Sequence, residues 1–397
     1  LITAATIVFW TAAFLVIYPY LIYPVLLLCT NRLRGFRQKQ RNLQNIVEEE
    51  EGFTWPAVSI IIAAYNESEV IGKKIENSLE LDYPGALEII VISDGSTDDT
   101  AAIVKTFANK HTNVNLINME FQAGKTVGLN TAVPTAKGDI VVFTDANAIY
   151  ANDALIKLTN PFENSAVGYT VGSALYIEDE VAAVNNSEGL YWRYELAIKK
   201  LESDFYSVVG GDGAIYAIRA GLYSQLANYD ISDFVNPLQI VSKGYRGIFV
   251  HDSRCYEHGT NEFFDEFRRK RRIVNRSWGA VHRNLKLFSL KNHKRFLFML
   301  ISHKVIRWWS FPLVMLSAFT GGFVALQSAS VLYAVLVIGI CSTILIAFIG
   351  WRLDKAGVNM PRIVYLLYYF YLIGLAGVLG IMDEIRGNRH AIWKPIR

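Results

Sequence analysis

Three short apolar runs constrain this chain more than any other feature: VSIIIAAY (58–65), LEIIVIS (87–93) and IVVFT (140–144), with Val114 to Met119 reading as a further strand. Runs of this length without polar alternation suit strands buried on both faces. The stretches between them, Ser68 to Glu80, Asp98 to Ala108 and Thr126 to Val133, read as helices. Strand and helix in alternation predict an α/β fold with a mainly parallel sheet covered by helices. In such a sheet the carboxyl ends of the strands share one rim, and ligands bind there. The runs end in Asn66-Glu67, Asp94, and Asp145 with Asn147, so these side chains are expected along one edge.

The ends of the chain are a different material. Ile2 to Cys29 is almost wholly apolar, carries no charge before Arg32, and is long enough to cross about 30 Å of hydrocarbon. The run is too long, and lacks the basic leader, for a cleaved signal peptide. Arg32, Arg34, Arg37, Lys39 and Arg41 follow at once, which predicts that the segment after it lies in the cytoplasm. The chain opens on Leu, so residues are expected to precede this numbering. The organisation that follows is a transmembrane helix over 1–30, a basic then acidic linker over 31–54, a cytoplasmic domain over 55–262, amphipathic interfacial helices over 263–309, transmembrane helices over 310–383 and a basic tail over 384–397. Phe311 to Leu326, Val331 to Trp351 and Ile363 to Met382 read as the later spans. Three crossings would leave the tail outside although its charge favours the inside, so either one segment is re-entrant or interfacial, or the tail is external. The protein is thus expected in the inner cell membrane as a multi-pass protein.

A net charge of +3 gives no argument for nucleic acid, but basic residues bunch at Arg32 to Arg41 and Arg268 to Arg276, beside apolar spans, and predict contact with membrane lipids. Cys29, Cys255 and Cys341 lie far apart without metal-ligand spacing, which implies a reducing compartment and no zinc. Asp145 and Asn147, two apart on an extended segment, project the same way and suit a hard divalent cation that also carries phosphate; the alternative is a turn before a helix. Asp233 precedes FVNPLQIV, whose apolar spacing is helical, and so stands in a first turn where an aspartate can act or simply cap.

NES after the first run, DGSTDDT after the second, GK at 124–125, TDAN, GGDGAIYAIR (210–219) and SDFVNPLQIVSKGYR (232–246) together resemble an inverting family 2 glycosyltransferase with a GT-A fold. The closer resemblance is to the membrane-embedded branch with cellulose, hyaluronan and poly-N-acetylglucosamine synthases, over about residues 55 to 310 and the flanking spans. The resemblance implies a UDP-sugar donor, a lipid-linked or glycan acceptor, and Mg²⁺ or Mn²⁺. It places Asp94 on the uridine, with Asn66 and Glu67 nearby, and Asp145 and Asn147 where a DxD motif meets ribose and cation. Asn147 substitutes a neutral carbonyl for a charged ligand, and His258 stands where a late histidine completes the metal site in some relatives. Lys125 would meet the phosphates, Asp233 would take the acceptor's proton, and Gly211 and Asp212 would line the acceptor side. Arg219 reads as a structural partner. Processive relatives carry QxxRW, whose arginine approaches the diphosphate and whose tryptophan underlies the acceptor; Arg276 and Trp278 in RIVNRSW do not fit that spacing, but the resemblance implies that they stand in, Arg276 on the donor and Trp278 beneath the acceptor. A processive synthase that also moves its polymer is therefore the nearest alternative, and a non-catalytic nucleotide- or glycan-binding scaffold the further one. The oligomeric state is not specified.

Overall fold

The computed structural model describes residues 1–42, 54–177, 185–258 and 263–388. The expected acidic linker and the tail beyond Asn388 lie outside these residues. The chain begins with α1 (Ile2–Ile17), a π-helical turn at Tyr18–Ile22 that accommodates Pro19, and α2 (Tyr23–Asn42), so the basic run from Arg32 continues a helix.

The expected alternation follows in order: β1 (Val58–Ala64), α3 (Ile71–Leu79), β2 (Leu87–Asp94), α4 (Thr100–Lys110), β3 (Val114–Met119), α5 (Lys125–Ala132) and β4 (Ile140–Asp145). Next come β5 (Ile149–Tyr150), α6 (Ala154–Thr159), β6 (Val167–Ile177), α7 (Asn185–Phe205), β7 (Tyr216–Arg219), α8 (Ser232–Ser242) and β8 (Arg246–His258). The strands form one sheet in the order β3-β2-β1-β4-β7-β6-β8-β5. Its first four strands are parallel; β7 runs against both β4 and β6, while β6 and β8 are parallel. Alternate residues feed two cores: Ile61, Ile90 and Phe143 on one face, Ile60, Val91 and Val142 on the other. Burial on both faces is what the unbroken apolar runs required. Arg219, as expected, is structural, its guanidinium donating to the carbonyls of Phe162, Asn164 and Val167.

The C-terminal part comprises α9 (Phe263–Asn284), α10 (Leu290–Leu300), a π turn leading into α11 (Ile306–Trp308), α12 (Ser310–Ser328), α13 (Val331–Lys355) and α14 (Arg362–Ile385). Among the described residues, Ile2–Leu33, α12, α13 and α14 are long and apolar enough to cross a membrane. The basic residues of α9, expected to face lipid, are partly used within the protein. Arg271 makes a bidentate pair with Asp383 of α14 (2.6 and 2.9 Å), and Arg283 bridges Asp230 (2.5 Å) and Glu384 (3.3 Å). His303, Lys304 and Arg307, whose pattern suits an interface helix, likewise turn inward. His303 is fully buried between Glu195 and Glu202, and Lys304 and Arg307 pair with Glu195.

Removing the half-exposed arginine of such a pair weakens the hydrogen bonding of the buried carboxylate it serves. Arg271→Met, which removes two hydrogen bonds from the Asp383 carboxylate, is expected to cost on the order of 2 kcal/mol and to lower the thermal unfolding midpoint in detergent. Arg268→Met, at an exposed residue lying over Phe264, is expected to leave that midpoint within a degree or so.

Candidate active site

The rim of the sheet is built by loops that lock one another. Asn66 leaves β1 with φ 53°, accepts the Thr97 amide at its Oδ1 (2.8 Å), and donates its own amide to Ser96 Oγ (3.2 Å). The Glu67 amide donates to Thr100 Oγ1 and the Ser68 amide to Asp98 Oδ2. Against the upward push of burial, bonds from Thr100 and Ser68 hold the Asp98 carboxyl down to about 2. Gly95, at φ +64°, passes so close to the next loop that a Cβ would lie 2.5 Å from the Phe121 carbonyl carbon. Asp94 is 6% exposed and accepts the amides of Ala123 (2.8 Å) and Gly124 (2.9 Å). It therefore fixes the turn that delivers Lys125, in addition to lining the cleft.

Lys125 Nζ donates to Asp145 Oδ1 at 2.5 Å. Gly213 marks the point of convergence: a Cβ placed there would stand 3.4 Å from Asp145 Oδ2, 3.6 Å from Asp233 Oδ2 and 3.7 Å from Lys125 Nζ. Gly211 is as close to the other side, its amide donating to the Asp233 carbonyl at 2.5 Å. Asp233 stands in the first turn of α8, yet that helix has no side-chain cap hydrogen bond, and Asp233 Oδ1 is buried without a hydrogen-bond partner among the described residues. Capping therefore does not explain it. Burial raises its carboxyl above the usual aspartate range, Lys125 opposes the rise, and Asp212 and Asp145 reinforce it. Asp212 is paired with the buried Lys199 of α7 at 3.0 Å. Glu257, near the end of β8, is pushed up to about 8 by burial, then by Asp145 and Asp212.

These groups line one cleft of about 1190 Å³ that contains Glu67, Asp94, Lys125, Asp145, Asn147, Gly211, Asp212 and Asp233. Among the described residues, no group of three His, Cys, Asp or Glu side chains is arranged to hold a metal alone. The Asp145 carboxylate and the exposed Asn147 amide supply two oxygen donors, which suits a cation that takes its remaining ligands from phosphate and water. Around Lys125 the carboxylates of Asp145, Asp212, Asp233 and Glu257 act on one another, and this local grouping of acids fits an added positive charge. His258 closes β8 in register with Ile177, but its side chain lies outside the described residues.

Arg276 reaches the site's edge and is engaged there. It donates to the carbonyls of Tyr229 and Asp230 and to Thr126 Oγ1, and burial and then Arg272 lower its guanidinium to about 10. Arg272, one helical turn earlier, lines the cleft and makes no hydrogen bond or ion pair among the described residues. Trp278 packs edge-on against Trp308 and Trp309 at 6.2 and 6.0 Å, and Trp308 lines the cleft in its place. Sequence reasoning missed Glu257, Lys199, Arg272 and Trp308. Two of these left a trace: Glu257 as the neighbour of His258, and Arg272 as the first residue of RIVNRSW.

Behind Asp145 and Asn147, helix α3 grips the connecting loop. Lys74, fully buried, donates to the Ala148 carbonyl at 2.5 Å and lies 3.9 Å over the Tyr150 ring. Asn77 pairs with Tyr150 as a neighbouring strand would, accepting its amide (2.8 Å) and donating to its carbonyl (2.9 Å).

The glycosyl transferase family 2 profile matches residues 59–226. A beta-monoglucosyldiacylglycerol synthase from Nostoc sp. is 32% identical over 166 residues, 40% of this chain and 34% of that one. A poly-beta-1,6-N-acetyl-D-glucosamine synthase from Staphylococcus epidermidis is 33% identical over 117 residues, 29% of this chain and 28% of that one. The matches thus span about a third of the length of these relatives. In fold, the chain is similar over 97% of its length to 99% of mannosyltransferase PcManGT from Pyrobaculum calidifontis, solved with GDP-Man and Mn²⁺, at a TM-score of 0.67 and 20% identity.

The grip of α3 on the loop after Asp145 has a direct readout. Asn77→Ala removes both bonds to Tyr150, about 2 kcal/mol together, and is expected to speed hydrogen exchange at the Tyr150 amide roughly 30-fold without altering exchange in β2.

Proposed function

From the match of residues 59–226 to the family 2 glycosyl transferase profile, we propose that the protein transfers a sugar from a UDP-sugar, with inversion, to a hydroxyl of a lipid-borne acceptor at the cytoplasmic face of the membrane. The convergence of Lys125, Asp145 and Asp233 around Gly213, in a cleft that continues to the apolar helices, is the observation that carries this reading. From Asp233 the cleft extends to Tyr20 beside α1 and to Leu366, Phe370 and Ile373 of α14. A cleft that joins acids to lipid-facing helices favours an acceptor with a tail, and a relative named for a glucosyldiacylglycerol product fits this chemistry.

In the proposed reaction Asp233 accepts the proton of the acceptor hydroxyl while that oxygen bonds to the anomeric carbon. The bond from that carbon to the phosphate oxygen breaks, and the nucleoside diphosphate leaves on the opposite side. Lys125 and Arg272 supply positive charge for the leaving group, while Gly211 and Gly213 let backbone approach the sugar. Asp145 and Asn147 would hold Mg²⁺ or Mn²⁺, which offsets diphosphate charge when bound.

The membrane arrangement in this reading has three crossings before the tail. Helix α14 meets its neighbours near the ends closest to the domain: Gly374 beside Ser310 and Phe311, Gly377 beside Trp308, Tyr368 bonded to Asp354, and Phe370 5.6 Å from Tyr20. The hydrogen bond furthest along α13 joins Tyr371 to Thr343. At the opposite end α1 and α13 meet without α14, through Trp10 and Tyr333. An α14 laid across the others, with Arg271 and Arg283 on its C-terminal acids, leaves the tail on the domain's side. This removes the conflict between span number and tail charge.

Asp233→Asn is expected to lower transfer at least 100-fold with nucleotide affinity unchanged to within about twofold; retained transfer would refute its role as the base. Because the base works ionised and its carboxyl is raised, activity should climb with pH through a limb above the ordinary aspartate range. Lys125→Met should shift that limb upward and Asp212→Asn downward, read from kcat against pH. UDP and GDP release across a panel of nucleotide sugars identifies the donor.

A further inference from the structure

A second pocket, of about 450 Å³, lies among the apolar helices and is open, its lining residues Ile17 and Gly339 being exposed. Its walls include Ala13 and Ile17 of α1, Val314 of α12, Gly339 and Ile340 of α13, and Phe370 of α14. That volume falls in the range of small-molecule pockets. The polar groups in its walls are already satisfied. The Thr343 and Tyr371 hydroxyls bond each other at 2.8 Å, and Ser317 Oγ donates to the Leu313 carbonyl at 2.9 Å. The surface left to an occupant is hydrocarbon, and such a chamber holds apolar matter in preference to water.

Phe370 lines both this chamber and the catalytic cleft. One stripe of α14, Leu366, Tyr369 and Ile373, faces the cleft, and the adjoining stripe, Leu367 and Tyr371, faces the chamber. The two spaces are therefore neighbours across a single aromatic side chain. An occupant spanning both needs a polar end at Asp233 and an apolar end beyond Phe370. We propose that the chamber binds the hydrocarbon chain of the acceptor lipid, as the tail subsite of the transfer reaction. This rests on the acceptor reading given above, and adds where the tail goes and which residues measure it. The occupant is the acceptor's own chain, in preference to that of a surrounding phospholipid, because the cavity adjoins the cleft in which the acceptor reacts.

Two glycines make the test clean. A Cβ on Gly339 meets nothing within 4 Å, and neither does one on Gly322 of α12, but only Gly339 lines the chamber. Gly339→Leu should therefore fill the chamber without a clash at its base, and Gly322→Leu makes the same chemical change outside it. The full chain in phosphatidylcholine nanodiscs is given short-chain and long-chain diacylglycerol as acceptors, wild type first, so that failure of the acceptor reading shows apart from failure of the chamber. Gly339→Leu is expected to lower the long-chain to short-chain ratio of kcat/KM roughly tenfold, the effect of about two methylenes denied burial. Gly322→Leu is expected to leave the ratio unchanged. An equal ratio in all three proteins, or an equal fall in both variants, would overturn the proposal.

An independent arm needs no turnover. Diacylglycerol bearing a diazirine on one acyl chain is photolysed in the same nanodiscs, alongside phosphatidylcholine bearing the same group, and the adducts are mapped. Labelling of Ile340 and Ile17 by the diacylglycerol probe above the phosphatidylcholine level, abolished by Gly339→Leu, supports the assignment. Equal labelling by the two lipids would mean bulk lipid only and overturn it.

Discussion

The carboxylates of Asp145, Asp212, Asp233 and Glu257 crowd into one part of the cleft with the ammonium groups of Lys125 and Lys199 among them. Like charges at this range disfavour joint ionisation, and burial adds to the effect. The outcome differs from group to group. Asp145 and Asp212 each have a lysine at 2.5 and 3.0 Å, while Asp233 and Glu257 are displaced upward. An arrangement that separates paired from unpaired acids suits the proposed division of one residue type into a base and a cation-facing edge. Lys125 matters most to that division, because it touches Asp145 and also counters the rise at Asp233.

The cleft is anchored to the apolar helices by a second set of buried charges. Glu202 accepts the Tyr23 hydroxyl at 2.7 Å, faces His303 at 2.7 Å, and accepts the Val209 amide at 3.0 Å. Val209 directly precedes the glycines around Asp212, so one carboxylate links α2, the segment after α10 and the loop that shapes the site. Against burial, Lys304, His303 and Arg307 hold Glu195 well below the usual carboxylate range. Such a network specifies one docking of domain on helices, since any displacement strands buried charge. The proposed reaction, which joins a water-soluble donor to a membrane-held acceptor, would need that fixed relation.

Much of this was legible in the sequence because strands buried on both faces leave unbroken apolar runs. Those runs placed Asp94 and Asp145 correctly, and the first-turn position of Asp233 brought it to the same cleft. What escaped was decided by tertiary contacts. Arg272 and Arg276 are one turn apart and chemically equal; the carbonyls of Tyr229 and Asp230 engage the second and leave the first to the cleft. Trp278 was expected beneath an acceptor, but Trp308, from another helix, takes that wall. Glu257 enters from β8, beyond the parallel strands that sequence alternation reveals. The inward turn of His303 was hidden because its partners, Glu195 and Glu202, lie about a hundred residues earlier.

In the proposed reaction donor and acceptor meet at Asp233, between the lysine-bound Asp145 and the path to the apolar helices. The most direct measurement is a structure of the full chain in nanodiscs with Mn²⁺ and a non-transferable phosphonate analogue of the nucleotide sugar. The account predicts the diphosphate beside Lys125, Asp145 and Asn147, with the anomeric carbon turned toward the Asp233 carboxylate. A diphosphate bound away from Lys125, or an anomeric carbon facing away from Asp233, would contradict it.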